Sequence, residues 1–112
     1  LDCSGFVAWT FINAIGDPAV LNAIGNGSAN QWARSTSLGW DEAQPGDLAF
    51  RAKPGSVDIN HVGIVLNKTQ DGQYMIVHCS SKENGVVVTE AWSSGFRYFR
   101  RPALYQEEVS AQ

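Results

Sequence analysis

One cysteine near the start of this sequence has the surroundings of a nucleophile. Cys3 begins a segment whose apolar residues recur at helical spacing. The partial positive charge at a helix N-terminus favours a thiolate, the reactive form of cysteine, over a thiol. Ser4 and Gly5 are small enough to let a substrate backbone approach the sulfur. We therefore predict that Cys3 is a nucleophile, with a buried structural cysteine as the alternative.

The two histidines of the chain, His61 and His78, could serve that nucleophile. Asp71 and Gly72 between them are a turn signal, so the flanking segments are expected to form a hairpin. With about one residue of slack, antiparallel pairing would set the two imidazoles opposite each other on one face. A base needs a third group to fix its tautomer, and a second imidazole can do this. The expected site is therefore a nucleophile, a base and an orienting residue, namely Cys3, His61 and His78.

The second cysteine, Cys79, directly follows His78, so along a strand its side chain points to the opposite face. We interpret Cys79 as a core residue, and this parity argues against a disulfide with Cys3. A zinc site made by Cys3, His61 and His78 is a further alternative, but these residues lack the close paired spacing of structural zinc ligands. The sequence implies no metal and no organic cofactor.

The elements that must position these residues change type along the chain. A first helix is predicted over residues 3–15, ended by Gly16. Residues 19–40 predict short helical pieces, one of them capped by Ser28. Strands are predicted, between turn signals, over residues 48–51, 61–68, 74–80, 86–90 and 96–101. Helices first and antiparallel strands afterwards predict an α+β fold with a sheet of about five strands.

Length and composition narrow the class of protein. A chain of 112 residues suits one domain, and we place it at residues 1–102, followed by a polar tail over residues 103–112. The net charge of −3 argues against nucleic-acid binding. No apolar run approaches the ~20 residues of a membrane span. The cluster of Arg97, Arg100 and Arg101 is interpreted as solvated strand ends.

Four segments resemble, in order, the motifs of the NlpC-type cell-wall cysteine peptidases, a papain-like family. Residues 2–7, Asp-Cys-Ser-Gly-Phe-Val, resemble the nucleophile motif. Residues 44–50, Gln-Pro-Gly-Asp-Leu-Ala-Phe, resemble the next signature, and residues 61–65, His-Val-Gly-Ile-Val, resemble the strand of the catalytic base. Val77 and His78 lie where the family has its third polar residue. The ordered set covers nearly the whole chain and is far more specific than any one motif.

The resemblance implies a papain-like α+β fold, with a helix packed on an antiparallel sheet, and hydrolysis of peptidoglycan stem peptides or muropeptides. The typical bond joins D-γ-glutamate to a diamino acid. Cys3 would attack the carbonyl, His61 would take the thiol proton and return it to the leaving amine, and His78 would orient His61. Asp2 and Ser4 match positions that help to hold the substrate, although Asp2 could instead cap the helix.

The resemblance also implies a setting. We expect a monomeric domain of a larger protein, outside the cell or associated with the bacterial cell wall. Relatives carry a segment before the nucleophile, with a tyrosine followed by a tryptophan–glycine pair, and we expect such a segment before Leu1. The motif position of Asp47 is interpreted as structural, fixing a turn.

Two alternatives remain at this stage. A related amidase of the CHAP type would cut another amide, but such enzymes usually have an acidic or amide third residue, so His78 favours the peptidase. A non-catalytic wall-binding module on the same fold would be expected to have lost Cys3 or His61, and both are present.

Overall fold

The computed structural model describes the backbone of residues 2–110 and the side chains of residues 2–106. Three helices come first, and all six strands of the described chain follow them. The helices are α1 (Cys3–Ile15), α2 (Val20–Ile24), α3 (Ser28–Ala33) and α4 (Ala103–Ser110). The strands are β1 (Ser35–Leu38), β2 (Leu48–Ala52), β3 (Ile59–Lys68), β4 (Tyr74–Ser80), β5 (Gly85–Glu90) and β6 (Tyr98–Pro102), with a 3₁₀ turn at Trp40–Glu42.

The strands form one antiparallel sheet in the order β1-β6-β2-β3-β4-β5. This confirms the predicted α+β fold, but the sheet has six strands in the described chain and not five. The missed strand is β1, whose sequence Ser-Thr-Ser-Leu shows no apolar alternation. It exists because it pairs with β6, more than sixty residues later, where Ser35 faces Pro102. Such an edge strand depends on its distant partner, which no local pattern reveals.

Helix α1 has the predicted bounds, and its ends show why. Asp2 is extended, and its carboxylate accepts the Gly5 amide at 2.6 Å, which satisfies one of the open donors of the first turn. Gly16 adopts φ 82°, a conformation that costs glycine little, and its amide donates to the Ile12 carbonyl. The predicted cap of α3 is wrong: the cap position is Gly27, and Ser28 is already the first helical residue.

Two apolar layers cover the sheet, one on each face. On the α1 side, Phe6, Val7 and Phe11 pack against inward residues of β2 and β3. On the other side, Tyr74, Ile76, Phe96 and Phe99 pack together with the adjoining Trp40. Successive strand residues alternate between these layers, as pleating requires. Both faces of the strands that carry the two histidines are therefore held in place by packed side chains.

The turn before β2 is held by the buried Asp47, as expected for a structural residue. Its carboxylate accepts the Gln44 amide at 2.8 Å and forms a two-pronged ion pair with Arg101, at 3.0 Å from Nε and 2.9 Å from Nη2. The interpretation of Arg100 and Arg101 as solvated strand ends is therefore wrong. The guanidinium of Arg100 stacks 4.1 Å from the centre of the Trp32 ring and donates to Ser35 Oγ.

Residues 103–110, within the segment predicted to be a polar tail, form helix α4. The Tyr105 hydroxyl donates to the Gly46 carbonyl at 2.6 Å, and its ring lies 6.1 Å from that of Phe11. Residues 111 and 112 lie outside the described residues. Over residues 2–110, none of the helices combines the length and apolar character needed to cross a bilayer.

Candidate active site

The two histidines meet, as the sequence predicts. His61, near the start of β3, and His78, on β4, are both buried, and His61 Nε2 lies 2.8 Å from His78 Nδ1. Their rings meet edge to face, with centroids 4.9 Å apart. The ring of Phe96 packs on both imidazoles, with centroids 5.6 Å and 5.1 Å away. This packing fixes the ring orientations of the pair.

The pairing that brings them together is diagonal and not directly opposite. Ile64 pairs with Val77, so the preceding residue, Gly63, lies opposite His78. A Cβ atom at Gly63 would lie only 2.9 Å from His78 Cβ. The missing side chain therefore leaves the space through which His61 reaches its partner. The register of this hairpin shifts by one residue at a β-bulge between Val65 and Asn67, which lies within β3 and not in the loop between the strands.

A hydroxyl extends this pair on its far side, and sequence reasoning missed it. His78 Nε2 lies 2.8 Å from Thr89 Oγ1 on β5. The register of the β4–β5 hairpin, in which Ile76 faces Thr89, could have indicated this contact. If the Nε2 atoms of both rings carry protons, His61 donates to His78 and His78 donates to Thr89. In that assignment His61 Nδ1 is left with a lone pair and can accept a proton.

Cys3 and His61 line one cavity of about 280 Å³. Cys3 is the first residue of α1 and is half-buried. Asp2 also lines this cavity, and its carboxylate caps the helix. Ser4 does not line the cavity among the described residues, and its hydroxyl lies 3.4 Å from Asp2. His78 contacts His61 and is not among the residues that line the cavity.

A buried glutamine holds the first turn of α1, and no sequence pattern indicated it. Gln31 on α3 is fully buried, and its Nε2 donates to the carbonyls of Ser4 at 3.0 Å and Gly25 at 3.1 Å. The Ser4 carbonyl belongs to the residue after Cys3. Gln31 therefore ties the backbone beside the thiol to the α2–α3 connection, across a separation that only the fold closes.

Arg51 is the charged residue closest to the histidines in the sheet register, and it was also missed. It lies opposite His61 in the β2–β3 pairing, and its Nη1 donates to the Ser94 carbonyl at 3.0 Å. Burial first, then the charge of Arg51 and then that of His78 lower the pKa of His61 to about 4. Burial and Arg51 also lower the pKa of His78. Both imidazoles are therefore neutral at neutral pH, the form that a base requires.

The position of Cys79 differs in one respect from the prediction. Its side chain points away from the face of His78, as predicted, and packs at the edge of the apolar layer under α1. That is the layer on which Cys3 also packs, and both cysteines line the same cavity. The alternation of side chains along β4 therefore does not place Cys79 on the opposite face of the sheet from Cys3. No disulfide joins the two in this structure.

The chain resembles known proteins. The model of the NlpC/P60 family matches residues 1–101, which is most of the chain. The chain belongs to the NlpC/P60 family. This confirms the resemblance in the four sequence motifs. Within residues 2–110, no group of three or more His, Cys, Asp or Glu side chains is arranged to hold a metal ion.

Individual NlpC/P60 relatives are similar over most of this chain. A probable endopeptidase p60 of Listeria grayi is 40% identical over 95 residues, which are 85% of this chain but 16% of that protein. The crystal structure of the NlpC/p60 domain of the peptidoglycan hydrolase SagA is 27% identical, with a TM-score of 0.65 over 89% of this chain and 75% of that one. A lipoprotein-like NLP/P60 structure from Staphylococcus aureus is 20% identical, has a TM-score of 0.67 and covers 90% of this chain and 32% of that one, which supports the fold alone.

Proposed function

We propose that this chain is a cysteine endopeptidase that hydrolyses peptidoglycan stem peptides through Cys3, His61 and His78. The observation that carries the proposal is the 2.8 Å contact between His61 Nε2 and His78 Nδ1. This contact engages one nitrogen of His61 and leaves Nδ1 as its remaining proton acceptor, on a residue that lines the Cys3 cavity. The shared cavity of Cys3 and His61, with His78 in contact with His61, supports the roles of nucleophile, base and orienting residue.

The reaction would proceed in two halves. His61 Nδ1 takes the proton of the Cys3 thiol, and the N-terminus of α1 stabilises the thiolate. The thiolate attacks the scissile carbonyl, and the protonated His61 then gives its proton to the leaving amine, which leaves a thioester on Cys3. Neutral His61 finally takes a proton from water, the hydroxide attacks the thioester, and the thiol is restored.

The family supports the proposed substrate and setting. The related SagA domain belongs to a peptidoglycan hydrolase, which supports stem peptides as the substrate class and an extracellular or wall-associated setting. We propose the bond between D-γ-glutamate and the diamino acid, with Asp2 holding a cationic group on the acyl side. Asp2 lines the Cys3 cavity, which supports this role. Ser4, whose hydroxyl lies 3.4 Å from Asp2, would orient that carboxylate.

Digestion of purified muropeptides, followed by mass spectrometry, tests the proposal. The parent should release a product that ends in D-glutamate, and the Cys3→Ala variant should release none while retaining the circular dichroism of the parent. Cys79→Ala is the matched control, because it removes the other thiol and should retain hydrolysis. Turnover by Cys3→Ala within about tenfold of the parent, roughly 1.4 kcal/mol of barrier, would exclude Cys3 as the nucleophile.

Substitutions of the two histidines should differ in how much activity they remove. His61→Ala removes the base, whereas His78→Ala leaves a base that is less well oriented, so the second loss should be smaller. Equal losses would contradict the separate roles. Cleavage at a different peptidoglycan amide would instead support a CHAP-type amidase. A folded parent that binds muropeptides without cutting them, with Cys3 unreactive toward a thiol probe, would indicate a binding module.

A further inference from the structure

A second and larger cavity adjoins the Cys3 cavity and has a strongly basic lining. Its volume is about 580 Å³, and it shares Arg51 and Asn60 with the Cys3 cavity. Arg51, Lys53 and Arg97 supply its charged groups, and no carboxylate is among its lining residues. We call this space the basic cavity. Three of the eight lysine and arginine residues thus line one cavity of a chain whose net charge is −3.

None of the three cations of the basic cavity forms an ion pair within 4 Å over the described residues, although the charge of Arg97 helps to lower the pKa of the Glu90 carboxyl. Over the described residues, the one ion pair within 4 Å joins Arg101 to Asp47, in another part of the sheet. The Nη1 atoms of Arg51 and Arg97 donate only to backbone carbonyls, those of Ser94 for Arg51 and of Trp92 and Phe96 for Arg97. The remaining donors of both guanidinium groups are available to an anion. Lys53, on the β2–β3 connection, is exposed.

We propose that the basic cavity is a subsite for a carboxylate of the substrate on the leaving-group side of the scissile bond. The inference rests on the proposed peptidase function and adds a specificity to it. Asp2, a negative group suited to a cationic part of the substrate, lines the Cys3 cavity together with Arg51 and Lys82. Lys53 and Arg97 line only the basic cavity, beyond Arg51. A peptide that crosses Cys3 would therefore place its acyl side near Asp2 and its leaving side toward the cations. Charge complementarity selects a leaving segment that carries a free carboxylate.

Two carboxylates share this chemistry in a stem peptide. One is the side-chain carboxylate of a diamino diacid at the first position after the cut, and the other is the C-terminal carboxylate of the following residue. Both fit a cavity of about 580 Å³. Peptides in which one or the other carboxylate is amidated distinguish the two sources, because amidation removes the charge at nearly constant size.

Lys53 is the residue that tests the subsite with the fewest side effects. Arg51 also lowers the pKa of His61, and Arg97 supports the Trp92 and Phe96 carbonyls, so changes at either would act in more than one way. Lys53→Gln removes one charge and leaves those contacts in place. Lys68→Gln is the matched control, since Lys68 lies at the far end of β3 from His61, over the Tyr74 ring and outside the basic cavity.

The experiment compares kcat and KM for synthetic stem peptides with free and amidated carboxylates. The parent and Lys68→Gln should prefer the free acid by about tenfold in kcat/KM, mainly through KM, as one charge-assisted hydrogen bond allows. Lys53→Gln should lose most of this preference and process the amide as the parent does. A parent without preference, or a preference that survives in Lys53→Gln, would overturn the subsite.

A binding measurement separates failure of the subsite from failure of the proposed function. Calorimetric titration of Cys3→Ala with the same peptides reports recognition without turnover. If the parent cuts nothing but Cys3→Ala binds the acid more tightly than the amide, and Lys53→Gln abolishes the difference, the subsite stands and the peptidase proposal fails. If binding shows no difference between acid and amide, the subsite is refuted whatever the parent hydrolyses.

Discussion

Arg51 lies directly opposite His61 in the pairing of β2 with β3, and its charge helps to keep the imidazole neutral. With the pKa of His61 lowered to about 4, acidification should abolish kcat/KM with a midpoint nearer pH 4 than the ordinary 6.5 of histidine. Arg51→Met removes a positive charge, so it should raise the pKa of His61 and move this midpoint to higher pH. The pH profile of kcat/KM measures the change.

The midpoint is informative even if Arg51→Met also binds substrate less well. Weaker binding lowers kcat/KM by the same factor at every pH, so it does not move the midpoint. Lys68→Met is a control with the same loss of charge at a distance from the site. A parent midpoint near 6.5, or identical midpoints in Arg51→Met and the parent, would contradict the assignment.

The same shift should make stability depend on pH. The pKa of His61 is about 4 in the folded protein and near 6.5 when unfolded, so between these values the unfolded state binds more protons. The free energy of unfolding should therefore fall as the pH falls from about 6.5 to 4, by roughly 1–2 kcal/mol at pH 5 from this residue. Urea unfolding at pH 7 and pH 5 measures the drop. His61→Gln should show a smaller drop, and an equal one would assign the dependence to other groups.

Thr89 should act on the site through His78. Thr89→Val replaces the hydroxyl that lies 2.8 Å from His78 Nε2 with a methyl group of similar size. We expect kcat to fall by roughly threefold to tenfold, because the orientation and tautomer of His78 lose support. Thr89→Ser keeps the hydroxyl and should retain most of the activity. Kinetics of the two variants test this, and equal activity in Thr89→Val and the parent would remove Thr89 from the site.

Gly63 should not tolerate even a methyl group. An added Cβ would lie 2.6 Å from Ile76 Cγ2 and 2.9 Å from His78 Cβ, and both atoms are close to the backbone of β4. Gly63→Ala should lower the free energy of unfolding by roughly 1–3 kcal/mol and reduce activity, because the strands must separate and His78 must move.

Gly39→Ala is the matched control for Gly63→Ala. Its added Cβ would approach the end of the flexible Glu42 side chain, 2.6 Å away, and its backbone has φ −66°. The chain can relieve that contact by rotating Glu42, so the loss on thermal or urea unfolding should be clearly smaller. Similar losses at both glycines would show that the approach of β3 to β4 at Gly63 is not the cause.

Asp47 should matter for stability and not for chemistry. Asp47→Ala leaves the Gln44 amide and the Arg101 guanidinium without their partner, and we expect a loss of about 3 kcal/mol in unfolding free energy. Asp58→Ala, at an exposed carboxylate, should change stability by less than about 0.5 kcal/mol. Urea unfolding measures both. Activity per folded molecule should be unchanged in Asp47→Ala. A loss of turnover in the folded variant would show that Asp47 also affects catalysis.

Local signals in the sequence were sufficient for the elements that carry the site. Apolar spacing with Asp2 before it and Gly16 after it predicted α1 correctly, because helix ends are decided by groups within a few residues. Alternation and turn residues placed β3 and β4, and with them the meeting of His61 and His78. Hairpins bring together residues that are close in the chain, so their register can be reasoned from sequence.

Only the tertiary structure decided which distant groups surround the triad candidates. Gln31 reaches Ser4 across twenty-seven residues, and Arg100 and Arg101 find partners more than fifty residues away. β1 exists only as the partner of β6, and parity alone did not reveal that Cys79 shares the cavity of Cys3. The candidate residues could thus be proposed from type and spacing. Their electrostatic setting depends on contacts between elements far apart in the chain, and local patterns do not encode those contacts.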